Sequence, residues 1–221
     1  MELPLFPLNL VLFPGMVLPL HIFEMRYREM IKHCVDEKQP FGVVLIEKGQ
    51  EVGKAAVPHM IGTAARITRV ERQDDGCLNI TAIGTERFRI KQLHHTHSYL
   101  TGTVEHYPVI NASTKMASEL AHSIRPRIMQ YVELLAKASN TQLQLDRLPE
   151  DPMTLAFLVG IALQVNNETK QKLLTLPGIP EMLAREQHLL SIETLLLQHM
   201  IDTQSQVEEM TSGPTGYIFP N

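Results

Sequence analysis

Four prolines inside an almost wholly apolar leader constrain this chain more than any other feature. Glu2 to Leu20 reads ELPLFPLNLVLFPGMVLPL, and Pro4, Pro7, Pro14 and Pro19 divide it. A membrane-spanning helix needs about twenty apolar residues whose backbone bonds close within the segment. The prolines and Gly15 break that helix, because each proline lacks an N–H and crowds the preceding turn. A secretory leader is not expected either, since the only early charge is Glu2 and the first basic residue is Arg26. The run is therefore expected as two short strands, Pro7–Phe13 and Met16–Phe23, buried on both faces. A turn at Pro14-Gly15 joins them: proline presets φ and glycine permits the positive φ that follows.

With 221 residues, the chain is long enough for one large domain or two small ones. Cys34 and Cys77 are its only cysteines, far apart and without metal-type spacing. They read as small buried hydrophobes in a reducing cytoplasm. The net charge of −4 comes wholly from the second half: residues 1–110 hold 12 basic and 12 acidic residues, residues 111–221 hold 8 and 12. Neither half has the basic surface that neutralises phosphates, so nucleic acid is not an expected partner.

Along the chain, Met25, Tyr27 or Arg28, Ile31 and Val35 fall at helical spacing, giving a short amphipathic helix over Glu24–Val35. Phe41–Glu47 is a β-branched strand and Lys48–Pro58 a polar loop. His59–Arg72 alternates as a long strand, and Asp74-Asp75-Gly76 is a hairpin signal leading to Cys77–Gly84. Phe88–Leu93 and Tyr99–Tyr107 complete a β half that suggests a small barrel. Pro108–Ser113 marks a boundary between residues 1–110 and a helical region over 111–210. Met116, Leu120, Ile124, Ile128, Val132 and Leu135 make one stripe, with a kink or restart expected at Pro126. Asp151-Pro152 is an N-cap followed by a first-turn proline. Asn167 caps a short helix through Leu174. Pro180 opens a last helix to about Glu209, with Met182, Leu189, Ile192, Leu196, Met200 and Ile201 as its stripe. Packing these helices together buries the stripes. Residues 211–221 are expected as an extended tail.

His94, His95 and His97, with His106 downstream, are the most metal-like cluster. No cysteine or acidic residue stands beside them, so surface or turn histidines are expected and no metal or cofactor is assigned.

Three blocks together resemble the N-terminal domain of the ATP-dependent Lon protease family. They are Leu3-Pro-Leu-Phe-Pro-Leu8, Leu12-Phe-Pro-Gly-Met-Val-Leu-Pro-Leu20 and Ile22-Phe-Glu-Met-Arg-Tyr-Arg28. Ile61-Gly-Thr-Ala-Ala-Arg-Ile67, Ile83-Gly-Thr-Glu-Arg-Phe-Arg-Ile90 and Asn167-Glu-Thr-Lys-Gln-Lys-Leu-Leu174 are similar to its later parts. The resemblance covers residues 2–205. It implies an α+β fold: a PUA-like small β-barrel with one short helix, followed by an all-α helical bundle. The same barrel module occurs as a recognition part in cereblon and in some ubiquitin-ligase-type proteins.

The catalytic parts of the full protease are missing from the sequence. Gly49-Gln-Glu-Val-Gly53-Lys54-Ala55 is one residue short of a phosphate-binding loop, and Ala55 has no hydroxyl for Mg²⁺. Ser212-Gly-Pro-Thr-Gly216 has no context of a Ser–Lys dyad. The resemblance thus implies a free-standing, non-catalytic substrate-binding domain. Its partners would be unfolded polypeptide or a partner protein, and a separate ATP-dependent protease. The expected recognition surface is Pro14, Gly15, His21, Phe23, Glu24, Arg26, Tyr27 and Arg87, with a structural Glu24–Arg87 ion pair as the simpler role for those two charges. The last helix could pair with a second copy as a homodimer, although packing within the chain is the simpler account. The alternatives are a small-molecule or RNA binder built on the PUA-like barrel, and a hydrolase using His59 or His106 with a carboxylate.

Overall fold

The computed structural model describes residues 1–50, 56–139 and 147–212. Its strands are β1 (Glu2–Leu8), β2 (Val17–Ile22), β3 (Phe41–Lys48), β4 (Val57–Pro58), β5 (Ile61–Arg72), β6 (Leu78–His94) and β7 (Leu100–His106). Helix α1 (Met25–Asp36) follows β2, and α2 (Lys115–Ala138), α3 (Pro152–Ala162), α4 (Asn167–Thr175) and α5 (Ile179–Ser212) follow β7. The seven strands form a mixed sheet in the order β1-β7-β6-β5-β3-β4, with β2 added on β6. Strand β1 also pairs in parallel with β3, so the path returns to its first strand.

The leader forms one strand earlier than expected. Residues 2–8 are β1, whereas the expected strand at Pro7–Phe13 is mostly the crossing that follows it. The reason lies in the two prolines. Pro4 pairs only with Thr101 of β7 and Pro7 only with Val44 of β3, while Leu5 alone faces both neighbours. Each missing N–H therefore falls where β1 is flanked on one side only. Pro19 lies in β2, which pairs with β6 alone. The turn at Pro14-Gly15 forms as expected: Met16 N–H donates to Phe13 C=O at 3.0 Å and Gly15 takes φ of 83°.

The expected strands Cys77–Gly84 and Phe88–Leu93 are one long strand, β6, bent by register shifts against both β5 and β7. The hairpin before it closes through Gly76, at φ of 80°. Helix α2 continues through Pro126 without restarting. The carbonyl left without its donor belongs to His122, and both residues are exposed, so water can serve it. Its buried face is Ala117, Ala121, Ile124, Ile128 and Tyr131; Met116 faces solvent. Asp151 caps α3 as expected, accepting from Thr154 N–H at 2.8 Å. The cap of α4 is Asn166, one residue before the expected Asn167, which instead donates to Asn9 C=O at 2.7 Å.

Apolar packing falls into three clusters. One joins α2–α5 with Val11, Phe13 and Leu45. A second holds α1 against β1, β2 and β3, and a third fills the opposite face around Leu5, Phe88 and Ile90. Phe13 is the strand half's anchor in the helical cluster, and its ring lies so close to Gly160 that a Cβ there would stand 2.8 Å from it. Burial along α5 ends near Leu190: Ile192, Leu196 and Met200 of the expected stripe are exposed, and Leu195 is 72% exposed.

Candidate functional site

Two recesses stand out; three of the expected site residues, Pro14, Gly15 and Arg87, line the first, and none of the expected residues lines the second. The first lies where the sheet meets the helices. Pro14, Gly15, Arg87, Tyr107 and Phe157 are among the residues lining a cleft of about 400 Å³. Its lip is pinned by backbone bonds: Gly15 N–H donates to Gly84 C=O at 2.8 Å, and Gly84 N–H to Met16 C=O at 3.0 Å. A side chain at Gly84 would run into the Phe13 carbonyl.

Arg87 is 2% exposed, and its partners are not the expected Glu24. Its Nη1 donates to the carbonyls of Leu174 and Leu176, each at 2.6 Å. These lie at the C-terminus of α4, where helix carbonyls lack partners and the dipole favours a cation. Tyr107 lies between two guanidiniums, Arg87 at 4.7 Å and Arg89 at 4.5 Å from its ring centre, and its hydroxyl donates to Thr175 C=O at 2.9 Å. Burial lowers the Arg87 pKa to about 10, which leaves it charged at neutral pH. Glu24 pairs instead with Arg26 at 3.0 Å. Arg26 also lies over the Tyr27 ring, and Tyr27 is buried in a stack on Phe6. Arg87 and Tyr27 thus hold the fold together.

The same cleft contains the dyad His106–Glu86, with Nε2 to Oε2 at 3.1 Å and both side chains more than half exposed. A hydrolase would need a nucleophile beside the imidazole. The cleft's hydroxyls are committed elsewhere: Thr85 donates to Ala64 C=O and Thr154 to Asp151 Oδ2. Of the other histidines, His94 bonds Thr103 and His97 stacks on Tyr99. Among the described residues no three metal-ligating side chains gather. Residues 51–55 of the Gly49–Ala55 stretch and the expected tail beyond Ser212 lie outside the described residues.

The second recess runs beside α1. Helix α1 buries Tyr27, Met30, Ile31 and Cys34, not the whole expected stripe. Met25, at 63% exposed, and Val35, at 43%, are turned outward. Phe23, just before the helix, is 53% exposed and stacks on His21, whose Nδ1–H donates to Asn79 Oδ1 at 2.7 Å. Between α1 and the β5–β6 hairpin lies a mostly apolar recess of about 360 Å³, whose lining includes Met25, Ile31, Val35, Val70 and Leu78. A further 280 Å³ between the end of α1 and β5 shares Val35 and Val70 with it. The burial pattern was the missed signal, since spacing alone does not tell which side of a broad apolar stripe meets the sheet.

The family model of the ATP-dependent protease La (LON) substrate-binding domain matches residues 2–191. The chain belongs to that family. It is 28% identical over 182 residues to Lon protease 2 of Syntrophobacter fumaroxidans, covering 80% of this chain and 22% of that protein. It is 27% identical over 213 residues to the Lon protease of Flavobacterium johnsoniae, covering 93% and 26%. The chain thus spans about a quarter of these curated relatives' length. The fold is that of a Lon N-terminal domain protein from Xanthomonas campestris, with a TM-score of 0.61 at 23% identity over 84% of this chain and 96% of that one. It is likewise that of the N-terminal domain of Mycobacterium avium complex Lon protease, with a TM-score of 0.64 at 18% identity over 86% and 98%. Among the described residues no helix is long and apolar enough to cross a membrane.

Proposed function

We propose that this chain is a non-catalytic recognition module that binds unfolded polypeptide segments, working beside a separate ATP-dependent protease in the cytoplasm. Residues 1–110 are its PUA-like barrel subdomain, built on the strand path that returns to β1, and residues 111–210 are its helical subdomain. The single observation that carries this reading is the apolar surface that α1 and its approach leave uncovered. Phe23, Met25 and Val35 face outward, although the same helix buries four neighbours. Exposed apolar side chains of this kind mark interaction sites when they lie together, and unfolded chains present apolar side chains and unpaired backbone together. The pairing of Arg87 with backbone carbonyls gives the motif around it a structural task, and leaves recognition to the surface near Phe23.

The test is titration of a permanently unfolded protein, reduced and carboxymethylated lactalbumin, followed by fluorescence anisotropy, with native lactalbumin as control. Saturable binding of the unfolded form alone is expected. Absence of binding, or equal binding of both forms, removes the reading.

A further inference from the structure

Strand β5 has two neighbours over its first part only. Thr63–Ala65 pair with β3 on one side, and the whole strand pairs with β6 on the other. From Arg66 to Arg72, among the described residues, no strand pairs with the side away from β6. Alternate N–H and C=O groups there face outward without a ladder. The side of β5 away from β6 adjoins the recess beside α1, so an unpaired edge and an apolar trough run together. The other candidate edges are poorer. Strand β2 carries Pro19, which removes a donor, and β4 has two residues. The free edge of β5 contains no proline, and its last four residues, Arg69–Arg72, are in regular register beyond the shift at Thr68.

The trough is also charged in one sense. Arg28, Lys32, Lys38, Arg66 and Arg72 line it, against the acids Glu29 and Asp36; Arg69, also on the lining, is paired with Glu71. This stands out in a chain whose net charge is −4. Glu29 is further engaged, accepting from Ser98 Oγ at 2.6 Å.

We propose that this trough takes an extended polypeptide segment as an added strand on the β5 edge, and that it selects segments alternating apolar with acidic residues. The inference rests on the polypeptide-binding reading above and names its site, mode and substrate class. Strand addition draws affinity from main-chain hydrogen bonds and specificity from alternate side chains. In an extended segment alternate residues face opposite ways. One set of side chains enters the apolar floor at Val35, Val70 and Leu78. The other set meets the basic rim, which also steers acidic segments in.

Three short peptides test this with the intact chain: alternating valine and glutamate, the same peptide N-methylated at every second residue, and alternating valine and lysine. The glutamate peptide is expected to bind, and each of the others to bind at least about tenfold more weakly, the cost of one or two main-chain bonds or lost charge pairs. The double variant Val35→Asp, Val70→Asp alters side chains already exposed, so its circular dichroism should be unchanged while peptide affinity falls by a similar factor. Equal affinity for the N-methylated peptide overturns strand addition, and equal affinity for the lysine peptide overturns the acidic preference. If the double variant still captures carboxymethylated lactalbumin as wild type does, this trough is not the site, although polypeptide binding stands. If the wild-type chain captures neither peptide nor lactalbumin, both fall together.

Discussion

Two buried ionisable side chains, one at the junction of sheet and helices and one within the helices, show opposite ways of treating charge. Arg87 gives Nη1 to two carbonyls at the end of α4 and sets its guanidinium over Tyr107, although its buried Nε and Nη2 have no hydrogen-bond partner among the described residues. Glu186 is fully buried on α5, on the same stripe as Met182, Leu183, Leu189 and Leu190, and neither of its carboxyl oxygens has a partner among the described residues. The junction is therefore directional: its polar groups fix where α4 sits on the sheet. The helical core is less particular and holds a group that works against it. An unmet buried acceptor costs free energy, whereas an arginine that satisfies orphan carbonyls at a helix end adds some.

The strongest way to break the comparison is to empty the junction. Phe13 belongs to the leader yet packs fully buried against the helices, on Gly160. Phe13→Ala should lower stability by about 3–5 kcal/mol, by lost burial plus a cavity. Urea unfolding measures it. The loss should appear in hydrogen exchange of both halves, since the residue joins them.

Arg87→Met keeps most of the apolar stem and removes the fork. It leaves the carbonyls of Leu174 and Leu176 unmet and should cost about 2–4 kcal/mol. Lysine at that position should restore only part, because an ammonium lacks the planar face that the guanidinium sets over Tyr107. If Arg87→Met proves neutral, the junction is no more directional than the core.

Glu186 should respond with the opposite sign. Burial raises its pKa well above 4.5. The unfolded chain loses that proton near the ordinary value while the folded chain keeps it. Between the two values the native state binds more protons, so stability falls as pH rises, by up to about 1.4 kcal/mol per pH unit. Glu186→Gln should remove that slope. Glu186→Leu should raise stability at neutral pH by about 1–3 kcal/mol, because an unmet polar group is replaced by an apolar one. A wild-type stability profile that is flat from pH 5 upward would mean the carboxylate has found a partner.

These contrasts separate what local sequence encodes from what it does not. The Pro14-Gly15 turn, the Gly76 hairpin and the Asp151 cap were legible because each is chemistry within four residues. The placing of Pro4 and Pro7 was not, because it depends on where β3 and β7 begin and end beside β1. Arg87 reads in the sequence as a charge in a motif, but its partners lie nearly ninety residues on, at a helix end whose position only the fold supplies. Glu186 was hidden in the polar-looking stretch Arg185-Glu-Gln-His188; the available signal was its spacing from Leu183 and Leu190. The expected recognition residues proved dispersed for a similar reason. Pro14, Gly15 and Arg87 line the junction cleft, His21 and Phe23 stack beside α1, and Tyr27 is core.

The smallest effect sharpens the comparison within the helical half itself. Helix α3 carries no charge from Pro152 to Ala162, so its start depends on Asp151. That carboxylate accepts from the Thr154 hydroxyl at 2.6 Å and from its N–H at 2.8 Å, and these bonds hold it below the usual carboxylate range. Asp151→Ala should cost about 1 kcal/mol, and Asp151→Asn less, since the amide oxygen still accepts. Here the sign is the reverse of Glu186. A lowered native pKa contributes stability above the ordinary value of 3.8, lost as pH falls through the native one. Acidification therefore weakens the cap of α3 while it relieves α5. In the Glu186→Gln background only the first effect remains, and the Asp151→Ala difference should shrink toward zero below pH 3.8. If it stays constant on acidification, the cap acts through shape and not through charge.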